Sequence, residues 1–323
     1  MNDTSRLRPP RLILGSLRTI PTLKPPSSVG TNKLSIHANT CCPICDERGT
    51  FAFEVRGYSL ADCLDCQHRF LDEDLIETHT QQHYGDDYFT DGGAGYTDYI
   101  GQGSLVESYG RRYAKVLKPF CPPGKLLDVG SAAGFLMSGF KDQGWDAIGL
   151  EPNDNMADEA STRFGFDTIR GAVEDVHISV EFDLATMVQV IAHFRDLRLA
   201  VSKIAASVRT GGHVLVETWD FQSLPARVMG HAWHEYSPPT VVNWFSRKSL
   251  DNLMLQLGLQ RVASGKPRKK ISARHAVSLL GHSLLTHAGS QRLATFVHRT
   301  PQTLLLPYPS FDVFWALYCK VGE

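Results

Sequence analysis

The sequence has no long apolar run: none approaches the ~18 consecutive residues that a membrane-spanning helix requires. It also has no excess of either charge, because 33 Lys and Arg residues face 34 Asp and Glu residues. A chain without a basic field is not drawn to nucleic acid or to a membrane surface. We therefore expect a protein without a transmembrane segment and without a nucleic-acid partner. The composition leaves the oligomeric state open.

Acidic residues are almost missing from residues 1–39, where Asp3 is the only one. This stretch also carries Pro9-Pro10 and Pro25-Pro26. Prolines oppose the amphipathic helix that an organelle-targeting segment needs. We expect a disordered extension, with a targeting signal as the weaker alternative.

Cysteine is scarce and clustered. The seven cysteines are Cys41, Cys42, Cys45, Cys63, Cys66, Cys121 and Cys319. Four of them form two C-x2-C pairs, and the 17 residues between the pairs fall within the spacing typical of zinc ribbons. Thiolates so spaced can close a tetrahedron around Zn²⁺ and leave no open position for catalysis. We therefore predict a structural zinc site in a ribbon-like module over residues 40–72, with Cys42, Cys45, Cys63 and Cys66 as ligands.

The cysteine cluster leaves some choices open. Cys41 could replace Cys42 as a ligand, His68 is a weaker substitute, and metal-free cysteine pairs are the alternative to a zinc site. Ribbon turns often carry glycine, with positive φ, after the last cysteine, whereas this sequence has Gln67 there. Clustered cysteines favour a reducing compartment over a disulfide framework, so we expect a cytoplasmic protein.

Residues 126–151 contain an incomplete version of a nucleotide-binding glycine pattern. Residues 126–151 read as an apolar strand ending at Asp128, a glycine turn, a helix and a second strand ending at Glu151. The turn contains Gly130 and Gly134, but position 132 is Ala and position 135 is Phe. This excludes the G-x-G-x-x-G fingerprint of dinucleotide-binding folds, and the absence of a following Gly-Lys-Ser/Thr excludes a Walker loop.

The remaining pattern, Asp-x-Gly-x-x-x-Gly with an acid ending the next strand, resembles motif I of the class I S-adenosylmethionine-dependent methyltransferases. The resemblance implies S-adenosylmethionine as the cofactor and a Rossmann-like sheet of seven strands whose last strand is antiparallel. Ligands of such sheets bind at the carboxyl ends of the strands. The residues assigned to the cofactor are Asp128, Gly130, Ser131, Ala132, Gly134, Glu151, Pro152, Glu174 and Gln189.

The rest of the chain alternates predicted strands and helices, which is typical of a parallel α/β sheet covered on both faces. Predicted strands span residues 167–170, 182–188, 213–217, 259–263 and 311–320. Helical periodicity covers residues 105–118, 197–208 and 246–257. Gly211-Gly212 is predicted to end the second of these helices, and Ser246 to cap the third.

The order of the motifs carries a second resemblance. A cysteine ribbon, then Gly95-Tyr-Thr-Asp-Tyr99, then the catalytic domain is similar to bacterial methyltransferases that tailor glycans, lipids or small metabolites. It implies a lead-in loop and helix over residues 73–120, a cofactor-binding core over 121–265, and a helical cap with the final strand over 266–323.

Two further segments keep two interpretations each. The lead-in aromatics, among them Tyr84 and Tyr88, either cover the methionine end of the cofactor or anchor a linker. The basic run at residues 266–270 is either a solvated loop or a site for an anionic substrate.

Catalytic candidates are His193, His234 and Tyr236. By resemblance, His193 aligns with the histidine that follows the fourth strand in ubiquinone-type O-methyltransferases, where two nearby acids help hold a metal. Gln189 and Ala192 occupy those places here, which disfavours a metal-assisted mechanism. The alternative for His193 is a structural histidine that hydrogen-bonds the backbone.

Two functions from different classes fit the sequence. The first is an enzyme that transfers a methyl group in line to a small-molecule, glycan or lipid-linked acceptor positioned by an aromatic cap. The second is a non-catalytic S-adenosylmethionine-binding module that docks on a partner through its ribbon. The intact motif from Asp128 to Glu151 favours the enzyme, whereas the missing acids after the fourth strand favour the module.

Overall fold

The computed structural model describes residues 37–90, 98–268, 270–272, 305–307 and 310–322. Three predicted features therefore lie wholly or mainly outside the described residues. They are the amino-terminal extension, the glycine-rich part of the lead-in, and the helical cap after residue 272.

The described residues form strands and helices with the following bounds. The strands are β1 (His37–Cys41), β2 (Arg48–Val55), β3 (Tyr58–Asp62), β4 (Arg69–Leu71), β5 (Lys125–Val129), β6 (Asp146–Glu151), β7 (Thr168–Arg170), β8 (Phe182–Val188), β9 (Val208–Trp219), β10 (Asn243–Trp244), β11 (Leu259–Gly265), β12 (Lys270–Ser272), β13 (Leu305–Pro307) and β14 (Val313–Lys320). The α-helices are α1 (His79–His83), α2 (Asp87–Thr90), α3 (Gly103–Leu117), α4 (Phe135–Lys141), α5 (Asp154–Phe164), α6 (Leu197–Ser207), α7 (Leu224–Met229) and α8 (Arg247–Gln256).

Seven strands form one mixed sheet in the order β11-β14-β9-β8-β5-β6-β7. The five strands from β9 to β7 are parallel, so their carboxyl ends share one edge. The last strand, β14, inserts between β9 and β11 and runs antiparallel to both, with Val313 opposite Trp219. The predicted Rossmann-like methyltransferase sheet with an antiparallel last strand is thereby confirmed.

Apolar side chains cover both faces of this sheet. On one face α3 and α4 bury Leu117 and Phe140 against Leu126 and Leu184. On the other face α6 and α8 pack their apolar stripes against the parallel strands. Each fully buried large side chain stabilises the fold by roughly 1.5–3 kcal/mol. Helix α8 begins as predicted at Ser246, whose hydroxyl accepts a hydrogen bond from the Ser249 amide at 3.0 Å.

The prediction for Gly211-Gly212 was wrong. Helix α6 ends at Ser207, and Val208 already has extended backbone angles, so β9 begins four residues earlier in the chain than Gly212. The pairing of β8 with β9 shifts register between Phe182 and Leu184, and Gly211 has a φ of +76°. The two glycines therefore belong to an irregularity within the strand rather than to the end of the helix.

The cysteine-containing strands form a second sheet, in the order β1-β2-β3-β4-β10. Its fifth strand comes from far along the chain, because β10 pairs antiparallel with β4 and sets Trp244 opposite Arg69. The Leu71 amide also donates to the Val242 carbonyl at 2.9 Å. The ribbon, predicted as a module ending at residue 72, thus shares its sheet with the segment that follows β9.

Candidate cofactor site and four-cysteine cluster

The turn after β5 is built from left-handed residues. Gly130, Ala132 and Gly134 have φ values of +69°, +45° and +78°. Ala132 stands where the dinucleotide fingerprint would have a glycine, and it adopts a backbone conformation that L residues rarely use. The amides of Gly130 and Ser131 both donate to the Leu150 carbonyl, at 2.8 and 3.2 Å, so the turn folds over the end of β6.

Side chains at the two glycines would have no room. A Cβ on Gly130 would lie 2.6 Å from Cγ2 of Val190, the residue after Gln189 at the end of β8. A Cβ on Gly134 would lie 3.1 Å from both Ala160 and Phe166. Close packing and φ therefore both require glycine at position 130, whereas at position 134 the positive φ favours glycine and the neighbouring side chains leave little space.

Glu151 ends β6 opposite this turn, as the sequence predicted. Its Oε2 accepts a hydrogen bond from the Ala132 amide at 2.8 Å, and its Oε1 accepts one from the Asn153 amide at 2.9 Å. Burial raises the pKa of Glu151 to about 7, although these amides oppose the shift. The sequence therefore brings a buried carboxylate against the glycine turn, where it retains lone pairs for further donors.

Asp128, near the end of β5, lies in the same buried region. Its carboxylate accepts a hydrogen bond from the Thr186 hydroxyl at 2.6 Å. Burial raises the pKa of Asp128 to about 7, and the nearby charge of Glu151 adds to the shift. Two acids that are hard to ionise thus sit side by side at the carboxyl edge of the sheet.

The lead-in segment is tied to this edge by Asn153, which sequence analysis missed. Asn153 caps α5 by accepting from the Met156 amide, and its Nδ2 donates to the Tyr84 carbonyl at 3.2 Å and to Asp86 at 3.1 Å. The half-buried Pro152 separates it from Glu151. An asparagine just before a predicted helix is a capping signal that could have identified it.

Gln189 and Glu174 are placed by backbone contacts. Gln189 has a φ of +61°, and its amide donates to the Glu217 carbonyl at 2.8 Å, so it turns the chain out of β8. One oxygen of Glu174 accepts from the amides of Arg195 and Asp196, at 3.0 and 3.4 Å. Glu174 therefore holds the turn before α6, and burial raises its pKa.

His193 is surrounded by groups from two distant segments. Its Nδ1 lies 2.8 Å from the Thr240 carbonyl and 3.0 Å from the Tyr84 hydroxyl, which itself donates to that carbonyl at 2.5 Å. A carbonyl only accepts, so Nδ1 carries the proton. Burial lowers the pKa of His193, which disfavours the charged form of the ring. The backbone hydrogen bond considered for this histidine is therefore present.

The other two catalytic candidates lie in different surroundings. The Tyr236 hydroxyl accepts a hydrogen bond from Arg69 of the ribbon, whose guanidinium also binds Asp62 at 2.7 Å. The exposed His234 lies 3.2 Å from a Glu235 oxygen. Burial lowers the pKa of His234, but Glu235 outweighs it and the net pKa is raised. Among the described contacts, neither residue touches the glycine turn.

The four cysteines of the ribbon converge on one point. Their sulfur atoms all lie within 4.8 Å of one another, and the Sγ pairs Cys42–Cys66 and Cys45–Cys63 are each 3.4 Å apart. Tetrahedral Zn–S bonds of about 2.3 Å would set the sulfurs about 3.8 Å apart, so the donor set fits the ion.

The two cysteine turns have the same backbone pattern. Asp46 and Gln67, each following the second cysteine of its pair, have φ values of +61° and +60°. Gln67 therefore adopts the positive φ that glycine usually supplies at this position, and Asp46 does the same. The two alternative ligands are disposed differently, since Cys41 is exposed and the buried His68 lies 3.1 Å from Oδ1 of Asn243 through its Nε2.

No helix among the described residues is long and apolar enough to cross a membrane. Residues 104–264 match the model of a family described as a methyltransferase domain. One related protein is the ubiquinone biosynthesis O-methyltransferase of Nitrobacter winogradskyi, 27% identical over 128 residues. That alignment covers 38% of this chain and 47% of the relative, so it spans about half of the relative's length.

Two examples illustrate the solved structures that resemble this one. The YcgJ protein of Bacillus subtilis superposes with a TM-score of 0.49 at 17% identity and covers 67% of this chain and 99% of its own. The magnesium protoporphyrin IX methyltransferase of Synechocystis PCC 6803 gives 0.48 at 11% identity and covers 74% and 99%. Because these identities and TM-scores are low, the assignment to a family is based on the family match over residues 104–264. Because residues 104–264 contain both the glycine turn and the acid that faces it, we conclude that this chain belongs to the S-adenosylmethionine-dependent methyltransferases.

Proposed function

We propose that this protein transfers the methyl group of S-adenosylmethionine to a small-molecule acceptor, either a free metabolite or the small reactive part of a glycan or lipid-linked compound. The observation that carries the proposal is the buried Glu151 carboxylate held 2.8 Å from the Ala132 amide of the glycine turn. When bound, the cofactor supplies an electrophilic methyl group on its sulfonium. The chain must then bind, orient and exclude water.

The residues of the turn fit such a ligand. Glu151 would accept the ribose hydroxyls, and the backbone from Gly130 to Gly134 would face the methionine part without side chains in the way. Burial raises the pKa of Asp128 and of Glu151 to about 7. The positive charge of the cofactor would favour the ionised form of both carboxylates. The Ser131 hydroxyl is buried with no hydrogen-bond partner among the described residues, which leaves it available as a further contact.

On the acceptor side, the proposal assigns a role to His193 and Tyr84. His193 would accept the acceptor's proton, while the Tyr84 hydroxyl and the Thr240 carbonyl fix its ring. The neighbouring Tyr88 ring, 5.2 Å from Tyr84 between centroids, would close the site with Phe89. Tyr236 and His234 are given no part, because their described contacts lie elsewhere.

The four-cysteine cluster is proposed to hold one structural Zn²⁺. The sulfur separations and the two matching turns support this assignment, and four protein ligands would leave no site for substrate. We also propose a cytoplasmic location, because clustered cysteines of this kind suit a reducing compartment. Mass spectrometry under native conditions should find one zinc per chain, and a metal-free protein would contradict the assignment.

Calorimetry with S-adenosylhomocysteine, followed by a tritiated-methyl assay on cell extract, tests the whole proposal. Binding with transfer of label to a small molecule is expected. Binding without transfer would instead favour the non-catalytic module. Failure to bind in a folded, zinc-loaded protein would remove the cofactor site itself.

A further inference from the structure

A cavity of about 350 Å³ lies between α3 and the ends of β9, β11 and β14. This volume is within the range of about 300–1,000 Å³ that small-molecule sites occupy. The lining residues that matter here are Arg112, Tyr113, Glu217, Lys266, Arg268 and Trp315. None of them belongs to the glycine turn or to the lead-in aromatics Tyr84, Tyr88 and Phe89.

The floor of this cavity is a buried polar pair. Glu217 of β9 and Tyr113 of α3 are both buried, and the Tyr113 hydroxyl donates a hydrogen bond to Oε2 of Glu217. The Tyr113 hydroxyl is thus one donor that offsets the cost of burying this carboxylate. Its position on β9, two residues before the strand ends at Trp219, places it near the carboxyl edge of the sheet.

The rim of the cavity is basic. Arg112, Lys266 and Arg268 are exposed, and none of them forms an ion pair with a carboxylate in the described part of the chain. The adjacent Arg111 shows the usual arrangement, since it pairs with Asp142 at 2.8 Å. Arg112 instead donates to the Arg268 carbonyl at 2.7 Å, which fastens the basic segment to α3. Three cations around one mouth favour an anion there.

The strand that carries Glu217 neighbours β8, which leads to Gln189. The amide of Gln189, at the end of β8, donates to the Glu217 carbonyl at 2.8 Å.

We propose that this cavity binds a small molecule with a phosphate or carboxylate at the basic rim and a hydroxyl or amine that donates to Glu217. Aromatic walls such as Trp315 and Tyr109 suit a compact, partly apolar body between the two polar ends.

The test is calorimetry on the full zinc-loaded chain at low ionic strength, with inorganic phosphate, glycerol 3-phosphate and glycerate as probes. Saturable binding is expected, with glycerol 3-phosphate tighter than phosphate because only it adds hydroxyl donors. Lys266→Gln and Arg268→Gln should each weaken glycerol 3-phosphate binding by about tenfold or more. Glu217→Gln should reduce its advantage over phosphate.

Lys115→Gln is the matched control, because Lys115 is an exposed cation on the same helix that does not line the cavity. Probe affinity should be unchanged in this variant. Equal affinity in wild type and in the Lys266→Gln/Arg268→Gln double variant would overturn the inference, as would no saturable binding of any probe.

S-adenosylhomocysteine separates this inference from the proposed function. The rim variants should bind it like wild type, and a parallel loss would show that the rim acts on the cofactor site instead. Probe binding without S-adenosylhomocysteine binding would keep the cavity and remove the methyltransferase function. The reverse result would remove the cavity and keep the function. Phosphate preferred over glycerate assigns a phosphorylated ligand, and the opposite order assigns a carboxylate.

Discussion

The four-cysteine ribbon and the candidate cofactor site differ in how far apart in the sequence their residues lie. The four clustered cysteines all fall within residues 42–66, in two turns with matching left-handed residues. The cofactor edge draws on Tyr84, Glu151 and Thr240, which only the fold brings together. A site formed by local turns can be predicted from the spacing of its residues. A site formed at a sheet edge can be predicted only when the order of the strands is known.

The two regions also differ in what stabilises their buried ionisable groups. The ribbon gathers thiols whose natural counter-charge is a metal ion. The cofactor edge buries Asp128 and Glu151. Burial is the main cause that raises both pKa values to about 7, and the charge of Glu151 adds to the shift of Asp128. Metal should therefore control folding of the ribbon, whereas ligand and pH should control occupancy at the sheet edge.

Removing a zinc ligand is the largest expected perturbation. Cys63→Ser should eliminate zinc and destabilise the protein by several kcal/mol, since metal binding and folding of such sites are coupled. Because β4 pairs with β10, hydrogen exchange should also quicken there and at residues 191–194. Cys41→Ser is the control, because Cys41 is exposed and lies outside the cluster. Equal melting temperatures and zinc contents in both variants would refute a structural metal.

Blocking the glycine turn should come next. Gly130→Val should weaken S-adenosylhomocysteine binding by about 100-fold or more, because its Cβ would lie 2.6 Å from Val190 and force the turn to move. Gly165→Val separates this effect from backbone strain. Gly165 has nearly the same φ, +70° against +69°, but nothing lies within 4 Å of its Cβ position. Calorimetry should show near-normal binding in the Gly165 variant; equal losses in both would mean that general destabilisation is the cause.

Breaking the connection between the two regions should have a smaller effect. Asn243 of β10 contacts the His68 ring, and its Nδ2 donates to the Phe194 carbonyl at 2.9 Å, beside His193. Asn243→Ala should cost about 1–3 kcal/mol, the usual penalty for unpairing buried polar groups. Turnover should fall while zinc content stays at one per chain. If turnover is unchanged at equal protein stability, the ribbon does not position the His193 segment.

Features formed by residues close together in the sequence were predicted well. Cysteine spacing predicted the cluster, and the Asp128 to Glu151 pattern predicted the turn and the acid that faces it. The sequence did not predict β10 in the ribbon sheet, because a two-residue strand has no detectable periodicity. It misassigned Gly211-Gly212, because a glycine pair ends helices and interrupts strands equally well. Asn153 was missed although its capping position was readable.

Titrating the cofactor edge should give the smallest effect. Below pH 7 Glu151 becomes protonated in the free protein, so S-adenosylmethionine affinity should fall by about tenfold from pH 8 to pH 6 if the carboxylate accepts the ribose hydroxyls. Glu151→Gln should weaken binding at pH 8 and reduce the dependence of affinity on pH. Any pH dependence that remains would then be due to Asp128.

The same variant has an opposite effect on the free protein. A raised pKa in the folded state means that stability falls as pH rises from about 4.5 to about 7, so Glu151→Gln should stabilise the cofactor-free protein at pH 8 by up to ~3 kcal/mol. Asp183→Asn is the control, because Arg209 lowers the pKa of Asp183 and this residue lies at the start of β8, away from the turn. Its binding profile should match wild type. A pH-independent wild-type affinity would show that Glu151 is not the group that receives the ribose.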